Sequence, residues 1–228
     1  VPGETMASSG TPYLRIVGGN LVQKVDEGTE GSKIRKWELA DGTKGETCEL
    51  SYVNWTGIVY NVSLKDTDYG EQCIITLDDA VITLNTTSRY FQDFACKIHS
   101  ADLSKPITFH PYDMEIDGKK KTGISMYQGD KENKLKNYFY DGQKNLHGFP
   151  VVDLEKSSKK SYWKKYFLDV IEFLCEKLED LKFPNKPEFA LDEFPEKENT
   201  KEVKSTKKEE PEPEPEQQKI PDDLPWEK

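Results

Sequence analysis

The chain has 228 residues, 35% of them hydrophobic and 32% charged, with a formal net charge of −10. That length allows one large core or two small ones, but so much charge requires some segment to be solvated rather than packed. Residues 192–228 are that segment: they hold 13 acidic against 7 basic side chains, leaving 29 against 25, a net of −4, for the rest. A mildly acidic core excludes capture of nucleic acid by overall charge, so such binding would need a local basic path and stacking.

Taken in order, residues 1–11 read as a vector-derived scar (Val1 to Thr5 before Met6) followed by a small, polar, flexible stretch. Apolar runs at residues 13–17 and 21–25 flank Gly18-Gly19-Asn20 and predict a hairpin. Residues 33–39 alternate charged and apolar side chains, Asp41-Gly42 turns, and residues 46–52 return, which predicts a second hairpin.

From residue 49 to 127 the cadence is strand, strand, strand, short helix, strand, strand. This is the order of a small five-stranded barrel of the oligonucleotide/oligosaccharide-binding (OB) type. The first strand spans residues 49–64, with Gly57 where it must bend to serve both halves of the barrel. Strands at 72–77 and 81–86 are joined by Asp78-Asp79-Ala80. Ser88 is the expected N-cap of a helix whose apolar residues are Tyr90, Phe91, Phe94, Ala95 and Ile98. Strand four covers 107–116, Asp117-Gly118 turns, and strand five covers 122–128, with Lys119-Lys120-Lys121 in the loop between them.

Beyond the barrel, residues 135–140 predict an extra edge strand, and residues 161–181 carry the strongest helical periodicity of the chain. That amphipathic face must be covered, by the chain's own core as the preferred reading or by a second protomer as the alternative. Domain limits follow: an OB-type binding domain with a C-terminal helix over 12–182, a disordered Pro/Glu/Lys linker over 183–219, and an acidic-aromatic tip over 220–228. The fold class is mainly β, a five-stranded barrel with an N-terminal hairpin extension, one amphipathic helix and a disordered acidic tail.

No catalytic constellation stands out. Cys48, Cys73, Cys96 and Cys175 are scattered, the three histidines lack partners at metal or triad spacing, and there is neither a P-loop nor a dinucleotide fingerprint. The expectation is a non-enzyme with no cofactor and no metal. The cysteines read as small core residues in a reducing compartment. With no 18-residue apolar run and no signal peptide, a soluble, intracellular protein with no membrane partner is expected.

Aromatic residues are the informative class, because single strands are held by stacking bases on rings beside a basic groove. Trp37, Tyr52, Trp55, Tyr60, Tyr69, Tyr90, Phe109, Tyr112 and Tyr127 exceed what one small barrel interior houses, so several are expected to face outward, with Trp37, Trp55, Tyr60, Tyr69, Tyr90, Tyr112 and Tyr127 as the stacking candidates. Lys36 adjoins Trp37, Lys65 is near Tyr69, Arg89 adjoins Tyr90, and Lys119, Lys120 and Lys121 complete the expected strand-binding set. At the tip, Asp222, Asp223, Leu224, Pro225 and Trp226 place acids beside apolar side chains, the pattern of a protein-docking lure.

The barrel, the Pro/Glu tether and this tip together resemble single-stranded DNA-binding proteins of the replication machinery, phage-encoded ones above all. Asp222-Asp223-Leu224-Pro225-Trp226 is similar to the Asp-Asp-Ile-Pro-Phe tip by which bacterial proteins of this kind recruit polymerases, primases and repair enzymes. Ser88-Arg89-Tyr90, Leu103-Ser104-Lys105-Pro106-Ile107, Pro111-Tyr112 and Asp117-Gly118-Lys119-Lys120 look like stretches of the phage proteins, a likeness covering residues 12–182. The resemblance implies a coat for single-stranded DNA in phage replication and recombination, in the cytoplasm of an infected bacterium, with a tail that meets a polymerase, primase or helicase. Trp226 replaces the usual final Phe, and Glu227-Lys228 follow it. An adaptor whose barrel binds protein, or a binder of RNA, stays open at this point.

Overall fold

The computed structural model describes residues 10–38, 42–68, 70–129, 133–142 and 144–185. Of the expected linker and tip over 183–228, residues 186–228 lie outside the described residues, as does the candidate Tyr69. What is described is mainly β, with a large mixed sheet and two helices.

Two hairpins come first, as their turn glycines and alternation predict. β1 (Tyr13–Val17) pairs antiparallel with β2 (Asn20–Val25) across Gly18 and Gly19, both at positive φ. β3 (Lys33–Glu38) pairs with β4 (Lys44–Tyr52), and β4 in turn pairs with β2. The long first barrel strand expected at 49–64 is three strands in the structure. β4 belongs to the N-terminal ribbons, β5 is Trp55–Gly57, and β6 is Val59–Thr67. The chain changes sheets at Gly57, where a Cβ would stand 2.4 Å from Asp78 Oδ1, so only glycine fits beneath that carboxylate.

β6 pairs with β7 (Gly70–Leu77), and β7 with β8 (Val81–Asn85), both antiparallel. Asp78 Oδ1 at the β7–β8 turn accepts the Ile58 amide at 3.0 Å, which fixes the corner. Ser88 caps α1 (Arg89–Ile98) by accepting the Phe91 amide at 3.2 Å, and Phe91, Phe94, Ala95 and Ile98 are buried beneath it. β9 (Ile107–Ile116) and β10 (Lys119–Gln128) form one long hairpin around Asp117 and Gly118, both at positive φ, and β9 also pairs with β5.

The resulting sheets run β3-β4-β2-β1-β8-β7-β6 and β10-β9-β5. The β8–β10 ladder that would close a five-stranded barrel is absent among the described residues, because both edges are used otherwise. β1 inserts parallel against β8, with Leu14 beside Ile82 and Arg15 beside Thr83. On β10, the Ile124 amide donates to Asp93 Oδ2 at 3.2 Å and the Ile124 carbonyl accepts from Lys97 Nζ at 2.5 Å. Farther along, the Met126 carbonyl accepts the Leu135 amide and the Gln128 amide donates to the Asn133 carbonyl. Backbone groups satisfied in this way leave no edge for another strand.

The edge strand expected at 135–140 reduces to a bridge between Tyr127 and Lys134 and a two-residue strand, β11 (Tyr140–Asp141), paired with β12 (Lys144–Asn145). α2 (Lys160–Glu179) packs on the chain's own core through Tyr166, Val170, Leu174 and Leu178. Phe173 of α2 meets Phe139 edge-on at 5.2 Å and Phe149 at 5.6 Å, while the Tyr138 amide donates to the Cys96 carbonyl of α1. Among the described residues no helix is long and apolar enough to cross a membrane.

Candidate nucleic-acid interface

Successive side chains of a strand point to opposite faces, so the registers sort the seven-stranded sheet into two sides. Leu14, Leu21, Ile75, Ile82 and Leu84 are buried on the core side. Cys175 of α2 reaches Glu71 on that same side, its thiol 3.9 Å from Oε2. The charged residues of the outer side, strand by strand, are Lys33 and Arg35 on β3, Glu49 on β4, Lys24 on β2, Arg15 on β1 and Lys65 on β6. Five cations against one carboxylate give +4 on this face of an otherwise acidic protein, with Ser, Thr, Asn and Gln between them.

The lone acid is not idle. Glu49 is 6% exposed, and Arg35 Nε donates to both its oxygens at 2.9 Å while Arg15 Nη2 pairs with Oε1. Arg15 therefore reaches over β2, which lies between β1 and β4, and its register partner there, Val22, is 5% exposed. Trp37 shares this face and lies across Gly45 of β4, and Tyr13 of β1, 47% exposed, is on the same face by the same alternation.

Among the described residues of the expected strand-binding set, only Trp37 and Lys65 fall on this face, at opposite edge strands. Lys36 points to the other side of β3 and pairs with Glu46 at 3.2 Å, because neighbouring positions on a strand diverge. Half-buried Trp55 donates from Nε1 to Asp79 Oδ1 at 2.9 Å and meets Tyr52 edge-on at 5.0 Å. Tyr60 sits, half-buried, in the register irregularity between Val59 and Asn61.

A second group converges where α1 meets the β9–β10 hairpin. Asp93 takes Lys97 Nζ at 2.8 Å and lies 3.9 Å from Arg89 Nε, and the Tyr112 hydroxyl donates to it. Burial, then the Asp93 charge, pushes the Tyr112 phenol up, and burial followed by Asp113 does the same for Tyr90. At Gly123, the register partner of Tyr112, a Cβ would stand 2.3 Å from Asp93 Oδ2 and 2.5 Å from the Tyr112 hydroxyl, so any side chain there would displace this pair. Arg89 and Tyr112 thus meet at Asp93 between helix and hairpin, while Tyr90 hydrogen-bonds the Gly19 backbone in the β1–β2 turn.

Lys119, Lys120 and Lys121 were expected in a loop; they lie in β10, opposite Ile116, Glu115 and Met114. Asp117 and Gly118 alone suffice to turn the chain, so the lysines continue the ladder. All three are exposed, and Lys120 pairs with Asp113 at 3.2 Å. Lys119 and Lys121 share one side of the hairpin with exposed Met114 and Ile116 and, farther down, with half-buried Tyr127, whose ring tilts against His110.

Arg15, Lys24, Lys33, Arg35 and Tyr13 escaped the sequence analysis. The signal that finds them is the alternation already used for the hairpins, followed to the side opposite Leu14 and Leu21. Asp78 and Asp79, a conceivable cation pair by type, spend their carboxylates on Ile58 and Trp55, and no cluster of three metal-ligating side chains occurs among the described residues. Comparison with protein-family models, with curated proteins and with solved structures finds no match for this chain.

Proposed function

We propose that this protein binds single-stranded DNA without sequence preference and performs no chemistry on it. The observation that carries the proposal is the outer face of the seven-stranded sheet, where Arg15, Lys24, Lys33, Arg35 and Lys65 face one acid, in a chain of net charge −10. A strip of cations interleaved with hydroxyl and amide side chains, with Trp37 and Tyr13 alongside, is the chemistry that tracks a phosphate backbone and stacks bases. The strand, strand, strand, helix, strand, strand order of β5 through β10 supports kinship with OB barrels, here opened to admit β1.

In this proposal the acidic tail, with Asp222-Asp223-Leu224-Pro225-Trp226 at its tip, recruits replication proteins and competes with DNA for the basic face. The whole serves phage DNA replication and recombination in the host cytoplasm. Fluorescence anisotropy with labelled oligo-dT, oligo-U and duplex DNA tests the reading. Oligo-dT is retained best, and its affinity falls by about 0.7 log units per log unit of salt for each phosphate neutralised. Equal retention of duplex would remove the single-strand preference, preference for oligo-U would move the protein to RNA, and binding of none would favour an adaptor of proteins.

A further inference from the structure

We infer that Arg15 and Arg35, held by the buried carboxylate of Glu49, form a clamp for one backbone phosphate. The grip on the strand is thereby centred on the N-terminal ribbons rather than on the β5–β10 unit. The inference rests on the nucleic-acid reading above. Glu49 sits mid-face with its side chain 7% exposed, whereas the two arginine side chains are 45% and 35% exposed. Arg35 commits only Nε, and Arg15 only Nη2, to the carboxylate; among the described residues their other guanidinium nitrogens make no hydrogen bond. Two cations on one anion leave a charge of +1, the complement of one phosphodiester, presented by planar forks whose orientation is fixed in advance. A carboxylate buried in a face that otherwise holds only cations costs binding through charge and gains it through positioning. It is therefore a positioning residue whose two effects have opposite sign.

That opposition makes the test decisive. Glu49→Gln removes the only negative charge of the face: simple charge capture predicts tighter oligo-dT binding, the clamp predicts weaker binding by about fivefold. Arg15→Ala and Arg35→Ala each lose about tenfold and lower the salt slope by about 0.7, equally on oligo-dT and on an abasic oligomer of the same length, since phosphate and not base is read. Arg35→Lys keeps both charge and ion pair, so it folds even if the alanine variants do not, and it too binds more weakly because the fork is gone. Tighter binding by Glu49→Gln, or unchanged affinity and slope in the arginine variants, overturns the clamp while the single-strand reading stands. A wild-type chain that retains no oligo-dT overturns both.

Discussion

The Trp37 indole lies across Gly45, its register partner on the neighbouring strand, so closely that a Cβ on that glycine would stand 2.2 Å from ring atom Cζ2. An aromatic ring laid over a strand glycine covers backbone that no side chain shields, and it holds its other face outward. Gly45→Ala must lift the ring. The expected cost is about 1–2 kcal/mol in a urea melt, as for overpacking elsewhere, with a red shift of tryptophan emission and weaker quenching by oligo-dT.

Asp93 binds α1 to β10 by serving Lys97, Tyr112 and the Ile124 amide at once. Both side chains of the Asp93–Lys97 pair are nearly buried, at 13% and 12% exposure. Asp93→Ala strands the ammonium, so a loss of about 3 kcal/mol is expected by chemical denaturation. Hydrogen exchange at Ile124 accelerates in parallel, and a variant whose Ile124 amide stays protected would show that Asp93 is not its acceptor.

His99 gives the fold a pH dependence. Among the described residues its Nε2 is buried without a hydrogen-bond partner, and its ring stacks on Tyr138 at 5.5 Å and meets Phe139 edge-on at 5.0 Å. Burial holds its pKa below the ordinary 6.5, with Lys177 and His147 acting in the same sense against Asp180. The unfolded chain therefore binds the proton more readily. Stability from this site is complete above pH 6.5 and is lost as pH falls through the folded-state pKa. Melting temperature falls between pH 7 and 5.5 more steeply for the native chain than for His99→Phe; parallel curves would exclude the histidine.

Burial pushes the Cys96 and Cys175 thiols up to about 12, and raises Cys73 further still. Glu71 beside Cys175 adds to its shift. Thiolate is the reactive form, so these three cysteines are expected to resist a disulfide reagent at pH 8 and to react together when urea unfolds the chain. Rapid labelling of Cys73 in the native protein would contradict the packing under α2.

Hairpin turns, the capped helix α1, the bend at Gly57 and the periodicity of α2 are legible in the sequence because each is set by residues within a few positions of one another. Ser88 announces α1, and Gly18-Gly19 and Asp117-Gly118 announce their turns. Strand partners are not set locally. Nothing in residues 13–17 says that β1 pairs parallel with β8, and nothing near Ile124 says that α1 caps β10, because such pairings depend on which edges are left over. The surroundings of the aromatic candidates are hidden in the sequence for a related reason. Trp55, Tyr90 and Tyr112 stand out by residue type, but the hydrogen bonds that hold them reach Asp79, Gly19 and Asp93 in distant segments. The alternation that puts Arg15, Lys24, Lys33 and Arg35 on one face, by contrast, is legible in the strands themselves.

The parallel seat of β1 against β8 sets synthesis and assembly in opposite directions. Tyr13 leaves the ribosome well before Val81, its neighbour in the ladder, so the first ribbon has no template to dock on until the β6–β7–β8 meander exists. Until that moment Leu14 and Leu21, fully buried at the end, remain in water. Arg15, carried on β1 beside Thr83, therefore reaches its place over β2 only once β8 is there to receive the strand.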